Sequence, residues 1–582
     1  MERPPLLIDP RAGDVEDDAS SPESRSMLAI AGSLLAEISL PKLALSWVAQ
    51  IGLPGLLIGA APLVASAWAT TVSGRVKGIA ELGSFLILAL AAAAAWYGGR
   101  TAFRIVERSF WSLTAIAVQP GYALAREGLR HIAARLFGPA AGSAAQVRIN
   151  RITAVGAGLV ASGFALAFVL LAWPFTQWTG TIGQWVHPGA LVLPALANAV
   201  VIVSAALAGG SLLWGLNDAL MDQPQDLEAY DPPGAQKPWR VVHFSDIHIV
   251  GEEHGLRIES GRSGPSGNAR LAEAFVRLEA IHAQEPLDLV LVTGDMTDAG
   301  RSAEWAIFLD LLAKHPALAE RMLVIPGNHD LNIVDRANPA RLELPTSPLK
   351  RLRQMRTLSA MAAVQGDRVR VLDATRKALG PTLSEAVAPQ AEAITAFADK
   401  GGWRLMPQLG KLWADLFPMV LPPATEDGLG VILLNSNAET HFSFTNALGL
   451  VTQEDARGIA AVTAALPRAR WLLALHHHLV EYPKPAPSLS ERIGTALLNG
   501  TWFVRQLKPL GRRVVALHGH RHIDWVGRCG PLRIVSAPSP VMGGRDDKPT
   551  RFHILRLAPA ADGGLDLLAP QTVELPGAPA PA

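Results

Sequence analysis

The pattern of hydrophobic and polar positions divides the chain near residue 217. Long apolar runs occupy the first part: Leu43–Ala69, Leu82–Gly99, Ile152–Phe175 and Gly189–Leu216. Each run approaches or exceeds the ~18 uncharged residues that a helix needs to cross a bilayer core. A buried helix of a soluble protein is the alternative for any one run, but four in succession favour the membrane. The pattern therefore predicts an all-α membrane domain of about four transmembrane helices.

Beyond this point, short β-branched runs alternate with helical patterns. Strands are predicted at Arg240–Phe244, Leu287–Val292, Met322–Ile325, Val431–Leu434, Trp471–Leu475 and Arg513–Leu517. Helices are predicted at Ala269–Ala283, Ser302–Lys314, Gln453–Ala465 and Ser490–Gln506. This alternation is typical of an α/β layered fold. Three later runs have no helix between them, which predicts antiparallel pairing: Ile523–Val526, Leu532–Val535 and His553–Leu557.

Shifts in composition predict the domain boundaries. We expect a disordered, membrane-proximal tail at 1–42, the membrane domain at 43–216, a Pro-rich linker at 217–238, an α/β domain at 239–560 and a tail at 561–582. Residues 331–430, rich in Pro, Arg and Ala, interrupt the alternation and are interpreted as an insertion. The acidic, polar segment Met1–Ser26 is not typical of a secretory signal peptide.

Charge is spread unevenly along the chain. The totals, 52 Lys and Arg against 51 Asp and Glu, show no basic excess and argue against a nucleic-acid partner. Residues 43–216 contain only 10 Lys and Arg and 3 Asp and Glu, so the rest of the chain has an ordinary soluble charge density. Cys529 is the single cysteine, which excludes an intramolecular disulfide and a cysteine-based zinc site.

Arginines between the second and third predicted spans set the expected orientation: Arg100, Arg104, Arg108, Arg126, Arg130, Arg135, Arg148 and Arg151. The loop between the third and fourth spans has no Lys or Arg, so the positive-inside rule places the Arg-rich loop and both termini in the cytoplasm. We therefore expect an integral inner-membrane protein whose α/β domain faces the cytoplasm. The four-residue spacing of the first three arginines indicates an amphipathic helix on the lipid surface or a solvated connecting helix.

Polar side chains with metal-binding chemistry follow five of the predicted strands. They are the motifs Asp246-x-His248, Gly294-Asp295-x-x-Asp298, Gly327-Asn328-His329-Asp330, His476-His477-His478 and Gly519-His520-x-His522. Functional groups of α/β sheets gather beyond the carboxyl ends of the strands. On an extended segment, residues i and i+2 face the same way, so Asp246 with His248, and His520 with His522, would each present two ligands together.

These ligand types predict the kind of metal. Oxygen and imidazole ligands without thiolate suit Mn, Fe, Zn, Ni or Co. A carboxylate such as Asp295 can bridge two ions that lie ~3.5–4 Å apart. Each motif alone is weak, because Gly-Asp is usually a turn and a lone His is usually structural, but the ordered set is far more specific.

In order and type, the five motifs resemble the calcineurin-like metallophosphoesterases over residues 240–540, and most closely the bacterial class III cyclic-nucleotide phosphodiesterases. The resemblance implies a four-layer α/β/β/α sandwich with two divalent metal ions. One ion would take Asp246, His248, Asp295 and His522. The other would take Asp295, Asn328, His476 and His520. His477 remains an alternative to His476, since the family usually has His-His-Pro where this chain has three histidines before Leu479.

The resemblance also implies the reaction, which is hydrolysis of a phosphodiester or pyrophosphate by a metal-bridging hydroxide. His329 would stabilise the transition state or protonate the leaving oxygen, held by Asp330, and Asp298 would support a ligand. Arg-rich positions of the insertion predict a cap for a lipid-linked phosphate, or else ordinary surface arginines, so lipid-linked substrates stand beside cyclic nucleotides. A membrane sensor or scaffold that only binds nucleotide or phospholipid is the alternative function. A transporter is disfavoured because no predicted span carries an ionisable residue.

Overall fold

The fold is described from a computed structural model. It describes residues 7, 44, 47–76, 119–137, 143–251, 266–334, 341, 343, 347–373, 378–401, 404–441, 443–483, 495, 497–542 and 549–576. The chain divides into two compact units, one of residues Ser39–Met221 and one of Asp222–Ala582 together with residues 1–38.

The first unit is helical. Its helices are α1 (Leu53–Val76), α2 (Gln119–Phe137), α3 (Ser143–Ala172) and α4 (Gly189–Leu220). Among the described residues, three stretches are long and apolar enough to cross a membrane, by length and composition: Leu53–Thr71, Val147–Phe175 and Gly189–Leu220. They overlap three of the four predicted spans. The remaining predicted span, Leu82–Gly99, lies outside the described residues, as does the predicted amphipathic helix.

Polar groups inside this unit are paired. Asn198 of α4 is fully buried, and its side-chain NH₂ donates to the Gly59 carbonyl of α1 at 3.1 Å. Asp218, near the end of α4, accepts from Tyr122 at 2.9 Å and from Arg126 at 3.0 Å, both on α2. Such pairing is required wherever polar groups are removed from water.

The second unit contains two mixed sheets. The smaller has the order β14-β13-β2-β3-β4, formed by β2 (Trp239–Phe244), β3 (Leu289–Val292), β4 (Met322–Val324), β13 (Thr550–Pro559) and β14 (Leu565–Leu575). Strands β2, β3 and β4 are parallel, and β13 is antiparallel to β2 and β14. The continuous apolar sequence of the parallel strands reflects burial on both faces.

The larger sheet has the order β1-β11-β12-β10-β9-β8-β7-β5-β6. Its strands are β1 (Gln225–Asp226), β5 (Arg370–Asp373), β6 (Ala378–Thr382), β7 (Met419–Leu421), β8 (Leu429–Leu433), β9 (Arg470–Ala474), β10 (Val514–His518), β11 (Trp525–Cys529) and β12 (Leu532–Ser536). Strands β8, β9, β10 and β12 pair in parallel. Side chains of both sheets share one core that contains Phe244 and Leu291 on one side and Leu472 and Leu517 on the other.

The helices of this unit are α5 (Ser266–Gln284), α6 (Ser302–Ala313), α7 (Pro316–Ala319), α8 (Asn328–Leu331), α9 (Pro348–Gln365), α10 (Leu383–Val387), α11 (Ala391–Lys400), α12 (Met406–Asp415), α13 (Gln453–Ala465) and α14 (Gly500–Leu507). Apolar residues of α5, α6 and α9 belong to the same core as the strands. The predicted α/β class, the six principal strands and the antiparallel later strands are confirmed, with ends shifted by up to three residues.

Three predicted segments contain helices or strands of the structure. The interpreted insertion, 331–430, supplies the buried helix α9 and the strands β5, β6 and β7, because its apolar positions complete the shared core. The predicted linker, 217–238, contains the last residues of α4, which ends at Leu220, and the short strand β1. The predicted C-terminal tail contains β14, whose side chains alternate between buried and less buried positions at its two ends, as in a sheet strand. Of the predicted N-terminal tail, only Leu7 is described, and it packs against the core.

Candidate metal centre

The backbone is strained at five of the predicted ligands. Among the described non-glycine residues, positive φ angles occur at Asp246 (57°), His248 (47°), Asp295 (52°), His520 (74°) and His522 (53°). A left-handed conformation is uncommon for such residues, costs of order 1–3 kcal/mol each and clusters at functional sites. The strain lies at the carboxyl ends of β2, β3 and β10, where the chemistry was predicted.

This conformation corrects the expected reason for pairing Asp246 with His248. The chain is not extended at these residues, so strand alternation does not align their side chains. Instead, the Asp295 carbonyl accepts hydrogen bonds from the backbone N–H groups of Ile247 at 2.8 Å and His248 at 2.9 Å. The first motif is therefore folded back onto the second.

One group of side chains converges around His248. Its Nε2 lies 3.3 Å from Nε2 of His522 and 3.7 Å from Oδ2 of Asp295. His522 Nε2 lies 3.5 Å from Oδ1 of Asp246. All four residues were assigned to one metal ion, and the structure brings them together.

A second group converges on His476. Its Nε2 lies 3.2 Å from Oδ2 of Asp295, 3.1 Å from Oδ1 of Asn328 and 3.0 Å from Nδ1 of His520. The same Asp295 oxygen thus faces both groups, which is the geometry expected of a bridging ligand. The other oxygen, Oδ1, accepts from the His329 backbone N–H at 2.9 Å.

Electrostatics in this cluster favours bound positive charge. Burial lowers the pKa of His476, but Asp295 outweighs it and raises the pKa to about 9. Burial raises the pKa of Asp295, yet His476 and His329 bring it far below its ordinary value. Lone pairs that face one another at about 3 Å repel unless a proton or a cation lies between them. The donor set and its convergence are compatible with divalent metal ions.

Contacts to the Nδ1 atoms of His248 and His476 hold these two histidine rings in place. His248 Nδ1 lies 3.2 Å from Oδ1 of Asp298, and His476 Nδ1 lies 2.8 Å from the Thr293 carbonyl oxygen. A carboxylate or carbonyl on the far ring nitrogen fixes the tautomer of a metal-binding histidine. Asp298 therefore lies where a supporting residue was expected.

The structure corrects the expected pairing of His329 with Asp330. His329 Nδ1 lies 2.7 Å from the Asp298 carbonyl oxygen. The Asp330 carboxylate instead accepts from the Thr297 hydroxyl at 2.6 Å and from the Gly327 backbone N–H at 2.8 Å. Burial and Asp295 raise the pKa of Asp330 to about 6. Asp330 therefore braces two loops of the cluster, and a backbone carbonyl orients His329.

The three consecutive histidines occupy different environments. His476 enters the cluster, whereas His477 Nδ1 lies 2.9 Å from the Ser436 hydroxyl. Ser436 also accepts from the backbone N–H groups of His476 and His477, both at 3.1 Å. Sequence reasoning missed Ser436, although the polar triplet Asn435-Ser436-Asn437 begins two residues after the apolar strand β8 and was a signal of a sixth strand end.

Gly327 leaves the space that the side chain of Asp295 occupies in the cluster. A Cβ atom at Gly327 would lie 2.0 Å from Oδ1 of Asp295. That separation is far below contact distance, and the neighbouring atoms belong to a buried ligand, so only glycine fits. The glycine of the Gly-Asn-His-Asp motif therefore serves the close approach of two loops.

Glu304 supports the loop that carries Asp298. Its Oε2 accepts from the backbone N–H groups of Ala299 and Arg301, both at 3.0 Å. Burial, together with the charge of Asp298, raises the pKa of Glu304 to about 8. The carboxyl is buried on α6.

We expect Glu304→Gln to weaken a pH dependence of stability. Since burial raises the pKa from 4.5 to about 8, the stabilising contribution is full below about pH 4.5 and is lost as the pH rises to about 8. The apparent Tm of EDTA-treated wild type should fall across this range, and that of the variant should fall less. Exposed Glu392→Gln is the control and should keep the wild-type slope. Equal slopes for wild type and Glu304→Gln would contradict the assignment.

A cavity of about 470 Å³ lies beside the cluster. It is lined by His522, Asp524, Pro538, Ser539, Met542, Pro549, Thr550, Arg551 and Glu574. Asp524 pairs with Arg551 at 2.7 Å and with His553 Nε2 at 2.8 Å. His522 belongs to both the cluster and the cavity, so a group bound at the cluster can extend into this space.

Three of the arginines expected to form a basic cap are engaged by the protein. Arg353 is buried and pairs with Glu343 at 2.6 Å, and Arg356 donates to the Gly300 carbonyl at 3.0 Å. Arg368 donates to the Val364 carbonyl at 3.0 Å. Among the described residues of 331–430, these side chains support the fold and do not form an open basic surface. The sequence also predicts that the Gly/Ser-rich loop Gly251–Asn268 and Trp403 shape the pocket, and residues 252–265 and Trp403 lie outside the described residues.

Comparison with known proteins identifies the domain. Residues 240–374 match the family described as Calcineurin-like phosphoesterase. The chain carries a calcineurin-like metallophosphoesterase domain. The predicted family is therefore confirmed at the level of this domain. No curated protein matches the sequence.

Solved structures show only weak likeness to this chain. One belongs to a protein from Staphylococcus aureus assigned as a 5′-nucleotidase and solved with alpha-ketoglutarate, with 13% identity, a TM-score of 0.31 and coverage of 59% of this chain and 54% of that chain. This chain thus spans about half the length of that protein. The other is a dimetal phosphatase from Danio rerio, with 12% identity, a TM-score of 0.33 and coverage of 59% and 100%.

Proposed function

We propose that the protein is a membrane-anchored, dinuclear metal-dependent phosphoesterase that hydrolyses phosphodiesters. The carrying observation is the position of Asp295. Its Oδ2 lies 3.2 Å from Nε2 of His476 and 3.7 Å from Nε2 of His248, between two complete sets of nitrogen and oxygen ligands. A carboxylate shared in this way is what a pair of closely spaced cations requires.

The residues present fit two cations. One would be held by Asp246, His248, Asp295 and His522. The other would be held by Asp295, Asn328, His476 and His520. When bound, two cations supply Lewis acidity, which activates water and offsets negative charge on phosphate oxygens. Mn, Fe, Zn, Ni and Co all suit these ligands.

His329 supplies the proton chemistry. A carbonyl oxygen only accepts hydrogen bonds, so the contact with the Asp298 carbonyl keeps the hydrogen of the neutral ring on Nδ1. Nε2 is then the atom that can gain a second proton and release it to a leaving oxygen. The ring stacks edge-on against that of His248, 4.5 Å away, which places it at the edge of the ligand cluster.

The cavity beside His522 supports a substrate with an organic group esterified to phosphate. Its volume of about 470 Å³ falls within the range of small-molecule sites. Its lining mixes apolar Pro538 and Met542 with Glu574 and with the ion pair of Asp524 and Arg551. A lining of apolar and polar groups suits an organic leaving group, and this supports a phosphodiester over a pyrophosphate.

The helical unit supports anchoring in the inner membrane with the metallophosphoesterase domain in the cytoplasm. Three helices meet the length and composition of spans. Large apolar side chains such as Phe164 and Leu170 are at least 70% exposed on α3, as lipid-facing residues are. Arginines on the chain before α3 and their absence from the loop before α4 support the orientation.

We expect the full-length protein, purified in detergent, to hydrolyse bis-p-nitrophenyl phosphate with Mn²⁺. Treatment with EDTA should abolish release of p-nitrophenol, and added Mn²⁺ should restore it, because the cluster needs cations to activate water. Metal analysis of the same sample provides the control. Two bound ions without hydrolysis would contradict the enzyme and favour the sensor or scaffold that only binds phosphate compounds.

A further inference from the structure

The segment between α4 and the metallophosphoesterase domain is bonded to the edge of the larger sheet. We call residues 222–231 the strap. Gln225 and Asp226 form β1, which pairs antiparallel with Arg528 and Gly527 of β11. Leu227 extends the pairing, since its N–H donates to the Val526 carbonyl at 3.0 Å. The strap therefore covers a strand edge that would otherwise be open to solvent.

Charged side chains fix both ends of the strap. Asp222 pairs with Lys508 at 2.5 Å. Asp231 receives both terminal nitrogens of Arg533, one of them at 2.8 Å, and burial of the pair leaves these side chains less than one-fifth exposed. The pKa of Asp231 is lowered because Arg533 outweighs the opposing effect of burial. A bidentate pair between an Arg guanidinium and a carboxylate fixes the relative orientation of the two groups.

Between these ends, Asp226 contacts the start of β11. Its Oδ1 accepts from the indole N–H of Trp525 at 2.8 Å. Trp525 follows Asp524 of the cavity directly and lies three residues after His522. The indole packs edge-on against Tyr482 at 5.4 Å, and the Arg521 guanidinium lies 5.5 Å from the centre of the same Tyr482 ring. Arg521 separates the ligands His520 and His522 in the chain, so a continuous path of contacts joins the strap to the loop of the ligands.

A glycine on β11 makes this arrangement possible. A Cβ atom at Gly527 would lie 2.0 Å from Cζ2 of Trp525 and 2.4 Å from the Gln225 carbonyl oxygen. The indole folds across this glycine while the strap approaches from the edge. Any side chain at 527 would push the indole or the strap away.

We propose that the strap positions the metal centre and that Asp226 is a positioning residue acting through Trp525. The hydrogen bond fixes the indole, the indole and Tyr482 fix Arg521, and the strained loop then presents His520 and His522 in the geometry that binds metal. The strap begins one residue after Met221, which follows α4 directly in the chain. This inference rests on the metal centre of the proposed function.

The test measures Mn²⁺ affinity of the full-length protein in detergent, by electron paramagnetic resonance of free Mn²⁺. Asp226→Ala should raise the apparent Kd by on the order of tenfold, as removal of outer partners of metal ligands does. Trp525→Phe, which keeps a ring but loses the N–H, should raise it equally, and the double variant should be no worse than either single one. Asp226→Asn, which keeps an accepting oxygen, should bind Mn²⁺ nearly as wild type does.

Glu228→Ala is the matched control, because Glu228 lies on the same strap with a side chain 85% exposed. It should leave the Mn²⁺ affinity unchanged. A lower apparent Tm for Asp226→Ala with wild-type Mn²⁺ affinity would overturn the proposal and leave the strap as an edge cover only. Additive losses in the double variant would overturn the path through Trp525. Affinity is measured without turnover, so failure of hydrolysis in wild type would contradict the proposed function and leave this test intact.

Discussion

Asp295→Asn is expected to abolish turnover and to lower the metal content from two ions per chain to one at most. The amide keeps a similar shape but loses the charge that both groups of ligands share, and its nitrogen cannot bind a cation. Because Oδ2 faces both His248 and His476, one substitution affects both ions. We expect the rate of hydrolysis of bis-p-nitrophenyl phosphate to fall by at least ~10³-fold, equivalent to ~4 kcal/mol of transition-state stabilisation. Metal analysis and the rate are measured on the same preparation.

Asp399→Asn is a suitable control, since Asp399 is exposed on α11 and the change is chemically identical. It should keep full activity and both ions. Full metal content and wild-type activity in Asp295→Asn would show that this carboxylate does not bridge. Loss of metal with unchanged apparent Tm in EDTA would show that the effect is local to the centre.

The ends of the strands could be predicted from the sequence because two simple patterns coincide there. Runs such as Leu289–Val292 are apolar enough to be buried strands. Each run is followed directly by polar residues, and burying polar side chains at a strand end is costly unless they bind a partner. The parallel order of β2, β3 and β4 then brings Asp246, Asp295 and Asn328 to one edge. Family resemblance supplied the assignment of ligands to two sets, which the convergence of the side chains supports.

Contacts between distant segments could not be predicted from local pattern. The left-handed backbone at His248 depends on hydrogen bonds to the Asp295 carbonyl, 47 positions away, and no local signal reports it. The partner of His329 is a backbone carbonyl, which carries no residue signature at all. The strap was interpreted as a linker because Pro and acidic residues are typical of linkers, although two of those acids, Asp222 and Asp231, are the groups that anchor it.

His329→Gln is expected to reduce turnover while both metal ions remain bound. Its ring lies against His248 and the Asp298 carbonyl, and its imidazole is the group assigned to protonate the leaving oxygen. Loss of a general acid typically costs ~10²–10⁴-fold. The loss in rate should depend on the leaving group. It should be close to this range for a methyl ester of phosphate, because the departing alkoxide needs a proton. It should be only about tenfold for a p-nitrophenyl ester, because p-nitrophenolate leaves without a proton. Rates for the two esters, measured at saturating Mn²⁺, provide the comparison.

The control is His282→Gln, because His282 Nδ1 accepts from the Leu287 backbone N–H at 3.0 Å, and Leu287 is not one of the proposed ligands. It should leave both rates unchanged. Equal losses for the two esters in His329→Gln would assign His329 to stabilisation of phosphate charge, because that role does not depend on the basicity of the departing oxygen. Loss of a metal ion would contradict both roles and make His329 a ligand, an outcome that its closeness to His248 and Asp298 makes worth measuring. The dependence on the leaving group therefore distinguishes two roles of the His329 imidazole: protonation of the leaving oxygen and stabilisation of charge on phosphate.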